Sequence, residues 1–185
     1  VKRTLINFVA FQLGWFACVL SAAMGAPWVG VLIAVMVIGL HLFLAERPGQ
    51  EFRLILLALL TGLVFDSLLV SSGWLSYAGG AMFSSLAPYW ILAMWALFAT
   101  TLNVSMSWLK GRHVAAVLLG MVFGPLSYIA GQRLGALEFV NFYPAIAALM
   151  VVWALAMPLL MFAATRFDGV RKPQAVLPLQ EFSNG

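Results

Sequence analysis

The sequence predicts an all-α integral membrane protein, with six transmembrane helices arranged as three hairpins and both termini cytoplasmic. Three observations predict it. The chain of 185 residues is 64% hydrophobic and 9% charged, with a mean hydropathy of +1.02. A soluble domain carries about 25% charged residues. Six apolar stretches, 4–24, 27–45, 53–71, 88–109, 114–132 and 143–165, approach the roughly 20 residues that a membrane-crossing helix needs. Threading six spans puts Lys2, Arg3, Arg47, Arg53, Lys110, Arg112, Arg166, Arg171 and Lys172 on one side and leaves only Arg133 on the other. Basic loops stay in the cytoplasm, so this bias sets the orientation.

The first span follows Lys2 and Arg3. A basic start, an apolar run and SAAMGA (21–26) have the shape of a cleavable signal peptide. Asn7 and Gln12 interrupt that run, and the stretch is long enough to cross, so a retained span is expected. Asn7, Gly14, Cys18, Ser21 and Gly25 share one helical face. Lipid gives helices little hydrophobic drive to associate, so small residues mark contacts and Cys18 reads as a packing residue. One cysteine allows no internal disulfide and no Cys-based zinc site.

The second, fourth and sixth spans start at or near Pro27, Pro88 and Pro144. Proline suits a first helical turn, where its missing N–H costs nothing. Trp28, Tyr89, Trp90 and Tyr143 beside them predict an interfacial aromatic belt. The third span carries Ala58, Gly62 and Asp66 at four-residue spacing, which turns Asp66 toward protein. Uncharged SSGWLSYAGGAMFSSLA (71–87) is expected to form a re-entrant loop or a short interfacial helix. In the fifth span Gly120 and Gly124 form a small-xxx-small pair, repeated by Gly131 and Gly135. Pro125 and Pro158 lie inside spans and predict kinks. The polar tail 167–185 has too little apolar surface to offset ordering and is expected to be disordered.

Function rests on few polar residues. Asp66 lies 13 residues past Arg53, roughly 20 Å into the bilayer. An ionised Asp there costs at least about 2.5–3.5 kcal/mol unless paired, hydrated or protonated. Arg133 is its expected partner, with Glu138 competing. Asp66, Arg133, Tyr128, Trp74 and Tyr77 form the candidate ligand-binding set. Asn7, Gln12, His41 and Asn103 fall in the cytoplasmic half and are expected to form one hydrogen-bonded cluster. No zinc-protease, phosphate-loop or nucleophile-elbow motif is present, Asp66 is the only acid in a span core, and no catalytic residue, cofactor or metal is expected. The pI near 9.6 does not indicate nucleic acid, because the basic residues are scattered in ones and twos.

NFVAFQLGWFACVLSA (7–22), GLVFDSLLVSSGWLSY (62–77) and GPLSYIAGQRLGALEF (124–139) resemble a bacterial inner-membrane family catalogued as a domain of unknown function, number 2878. The resemblance covers nearly the whole chain and places the family's Gly-Pro, Tyr and Arg at Gly124, Pro125, Tyr128 and Arg133. It implies a multi-pass inner-membrane protein and no activity. The segment around Asp66 is more loosely similar to the rod-shape proteins of the D type and to vitamin-transporter substrate-binding subunits, which share an apolar helix ending in Gly-x-x-x-Asp before a Gly-rich turn. The expected function is non-catalytic binding of an apolar or amphiphilic molecule, or of a membrane partner, at an outer-half site around Asp66, loop 71–87 and Arg133. The alternatives are a transport component in which Asp66 titrates and a lipid-modifying enzyme using His41, Asp66 or Tyr128.

Overall fold

The computed structural model describes residues 2–170. They form six helices: α1 (Lys2–Ala23), α2 (Pro27–Phe43), α3 (Pro48–Ser71), α4 (Tyr89–Leu102), α5 (His113–Arg133) and α6 (Phe142–Arg166). Four of them, α1, α3, α5 and α6, are long and apolar enough to cross a membrane; α2 and α4 are apolar but shorter. α1 packs on α2, α3 on α4, and α5 on α6, while α4 also touches α1, α2 and α6. α4 is therefore the central post, with Trp90, Ile91, Trp95, Leu97, Ala99 and Leu102 all buried. The rest of the bundle turns large apolar side chains outward: Leu5, Leu13 and Phe16 on α1, Val122 and Leu126 on α5, Leu155 and Leu159 on α6. Water does not tolerate so large a continuous apolar surface on a monomer, and lipid solvates it.

Small residues set the contacts. A Cβ on Gly30 would lie 2.4 Å from the Cys18 backbone, and one on Gly14 would lie 2.6 Å from the Leu97 side chain. Ser21 Oγ accepts from the Gly30 N–H. The stripe on α1 thus closes on both α2 and α4. Gly120 and Gly124 press α5 against Trp153 of α6, leaving no room for a Cβ at either position. α5 and α6 continue through Pro125 and Pro158.

Four expectations change here. Loop 71–87 does not form a short helix: Leu75–Tyr77 forms β1, which pairs antiparallel with β2 (Leu137–Phe139), Ser76 facing Glu138. Gly73 and Gly135, both at positive φ, turn α3 into β1 and α5 into β2. The fourth helix stops at Leu102, short of 109, and the chain finishes in turns and a 3₁₀ turn at Ser107–Leu109. Asn7 of α1 satisfies backbone groups freed at the stop: its amide donates to the Thr100 carbonyl and its oxygen accepts from the Ser105 N–H. Trp90 is no belt residue; it is fully buried and donates to the Gly79 carbonyl. The expected tail begins in order: the Gly169 carbonyl accepts from the Arg47 N–H, and Lys110 pairs with Asp168 at 2.7 Å. The rest of the expected disordered tail, 171–185, lies outside the described residues.

Candidate functional site: a buried carboxylate behind an aromatic cleft

α3 carries a carboxylate near each end, and both are fully buried. Asp66 lies one turn past Gly62 and two past Ala58, on the smooth face that packs on α4. Gly62 is the slot for Trp95, since a Cβ there would sit 2.1 Å from the indole. Seated in that slot, Trp95 Nε1 donates to Asp66 Oδ2 at 2.6 Å. Tyr128 of α5 donates its hydroxyl to Oδ1 at 2.7 Å, and Tyr77 of β1 donates to the same oxygen at 2.5 Å. Three uncharged partners from three elements converge on the two carboxylate oxygens, which an ionised acid would use purely as acceptors. Hydrogen bonds to a charged acceptor each contribute about 1.5–3 kcal/mol, which offsets much of the cost of burial. Burial, and after it the Asp66 charge, pushes the Tyr77 phenol well above its ordinary range, so it remains a donor.

The expected guanidinium partner is absent from this network. Arg133 and Glu138 are both exposed, and among the described residues no Lys, Arg or His forms an ion pair with Asp66. Phenols and an indole do the work assigned to the arginine because they deliver protons without bringing a second charge to be desolvated. Of the candidate set, Asp66, Tyr77 and Tyr128 come together. Trp74 is half-buried against the ribbon cluster that also holds Tyr128 and Tyr77, but it makes no hydrogen bond to Asp66.

The second carboxylate, Glu51, was missed because the third span was expected to start at Arg53. The helix starts at Pro48, and Glu51 falls in its first turn. Glu51 Oε2 meets His41 Nε2 at 2.7 Å, and Oε1 accepts from Asn103 Nδ2 and the Gly169 N–H, both at 2.7 Å. Of the four residues expected to cluster, His41 and Asn103 are brought together, each bonded to Glu51. Asn7 bonds α4 instead, and Gln12 lines a cleft.

That cleft, of about 720 Å³, opens between α1 and α5 with α4 as its floor and α6 behind. Phe8, Phe11, Gln12, Trp15 and Val19 line it from α1; Gly124, Ser127, Tyr128 and Gly131 line it from α5. Five of the seven tryptophans, Trp15, Trp90, Trp95, Trp108 and Trp153, face it. Trp95 stacks on Trp153 with ring centroids 4.6 Å apart. Two of the three Asp66 donors, Trp95 and Tyr128, therefore belong to the cleft wall, with the carboxylate one ring behind. Trp95 and Trp153 were missed by the sequence reading. Their signal was a tryptophan in mid-span, away from the interfaces where tryptophan ordinarily sits.

Residues 4–159 match the model of a family described as a protein of unknown function, DUF2878. No curated protein and no solved structure matches the chain.

Proposed function

We propose that this chain, which belongs to the DUF2878 family, is a six-crossing inner-membrane protein of bacteria that binds an apolar or amphiphilic small molecule without chemistry. The binding site is the α1–α5 cleft, with the Asp66 network as its polar wall. One observation carries the reading: a concave, aromatic cavity of about 720 Å³ has two hydrogen-bond donors to a buried carboxylate in its lining. Small-molecule sites typically occupy about 300–1,000 Å³, mostly apolar with a few placed polar groups. The site differs from the outer-half site expected from sequence. It keeps Asp66, Tyr77 and Tyr128, drops Arg133 and Trp74, and extends along α1 and α5.

Filling the cleft tests this reading. Ala130→Trp and Leu119→Trp, both at lining positions, abolish co-purification of the bound amphiphile detected by native mass spectrometry, while the melting temperature stays near wild type. Unchanged co-purification in both variants overturns the reading. A transport role is separable in the same samples: flux of the co-purifying molecule into proteoliposomes that Asp66→Asn stops would make the cleft a pathway. His41 and Asp66 are held in separate clusters at opposite ends of α3, so no observation favours an acid–base enzyme.

A further inference from the structure

We infer that the cleft selects a lipophilic cation, a quaternary ammonium or similarly diffuse positive group on an apolar body, seated against Trp95, Trp153 and Tyr128 in front of Asp66. The inference rests on the binding role proposed above and names its ligand class. Charge complementarity carries it. Asp66 is fully buried, its neighbours donate protons but carry no charge, and no described Lys, Arg or His pairs with it. When ionised, Asp66 is hydrogen-bonded yet uncompensated, in surroundings where Coulomb attraction is poorly screened.

The groups between that charge and the cleft are aromatic rings. Faces of Trp and Tyr attract cations lying within about 6 Å of the centroid, and quaternary ammonium recognition uses clusters of such rings. An indole N–H and a phenol O–H that donate to a carboxylate are polarised by it, which makes their faces more negative. Trp153 stacked on Trp95 adds a further ring to the same wall. A compact, strongly hydrated ammonium would lose its water in this cleft, where Gln12 and Ser127 offer few side-chain oxygens to replace it. A diffuse, weakly hydrated cation loses little. An anionic amphiphile meets the same field with the wrong sign.

Wild-type protein in an uncharged maltoside detergent is titrated with tetradecyltrimethylammonium and with its uncharged carbon isostere, following tryptophan fluorescence. The cation is expected to bind about tenfold tighter or better, a gap of the size expected for a desolvated cation–π contact. Equal or weaker cation binding overturns the cation assignment and leaves the cleft reading standing. No response to either ligand overturns both. Asp66→Asn is expected to close the gap while still binding the isostere; a gap that persists removes Asp66 from the recognition. Should Asp66→Asn fail to fold, Trp153→Leu removes one ring without removing any group bonded to Asp66 and is expected to narrow the gap. A gap unchanged there also overturns the proposal.

Discussion

At the scale of single residues, the two Asp66 phenols are not equivalent in origin but share one acceptor atom. Tyr77 reaches Oδ1 from the ribbon and Tyr128 from α5. Removing one leaves the other donor in place, so Tyr77→Phe and Tyr128→Phe should each lower stability by about 1.5–3 kcal/mol. The double variant should lose more than the sum of the two, because Oδ1 is then stripped of both donors. Detergent-solubilised melting curves of the four-member cycle check this, and strict additivity would mean the donors act independently. Tyr77 also gives a pH signature. Its phenol is pushed up in the folded state by burial first and then by Asp66. The stability it contributes is fully present below the unfolded phenol value of about 10 and is lost as pH rises through the higher folded value. The melting temperature should stay level to about pH 10 and fall above it, and Tyr77→Phe should flatten part of that fall.

At the scale of elements, the network depends on how closely α3 approaches α4. Gly62 lets the Trp95 indole lie against the α3 backbone. Gly62→Val should therefore evict Trp95, leaving Asp66 short of a donor inside the bundle. We expect a loss of about 3 kcal/mol or more, since overpacking and an unmade bond to a charge combine. Intrinsic tryptophan fluorescence should shift to the red as the indole leaves its slot. If Gly62→Val melts like wild type with unshifted emission, the slot is not what places Trp95. The element scale also shows where the sequence was legible. Gly62 and Asp66 could be set on one face by counting, as could Gly14, Cys18 and Ser21, because helical spacing is local. The ribbon could not. β1 and β2 are three residues each and 60 positions apart, so neither carries a periodic pattern, and their pairing exists only once α3, α4 and α5 have brought them together. For the same reason the sequence supplied the wrong partner for Asp66. It offered a charge from the same half of the bilayer, whereas the fold delivers three neutral donors whose proximity no spacing records.

At the scale of the molecule, the short helices raise the question of how many times the chain crosses. α2 has 17 residues and α4 has 14, so at 1.5 Å per residue α4 is only about 21 Å long, less than the roughly 30 Å hydrocarbon core. Counting only the four long helices as crossings would place β1 and β2 on opposite faces of the membrane, because a single crossing, α5, would separate them. Their antiparallel pairing needs an even number of crossings between them, which the proposed six-crossing thread would supply with α4 and α5. The Glu51 cluster makes the same demand: His41 at the end of α2, Asn103 after α4 and Gly169 after α6 meet at the start of α3. α4 can be short because none of its residues is exposed, and turns up to Leu109 carry the chain onward among polar partners, a backbone that lipid would not accept. Six crossings with the basic end inside therefore predict a labelling pattern. The single native cysteine, Cys18, is fully buried and should stay silent toward an impermeant maleimide. In intact cells Ser76→Cys and Glu138→Cys should both label. Gly49→Cys and Arg112→Cys should label only after the membrane is opened. Opposite behaviour of positions 76 and 138 would break the ribbon and the six-crossing thread together; shared labelling of 76 and 112 would remove α4 as a crossing.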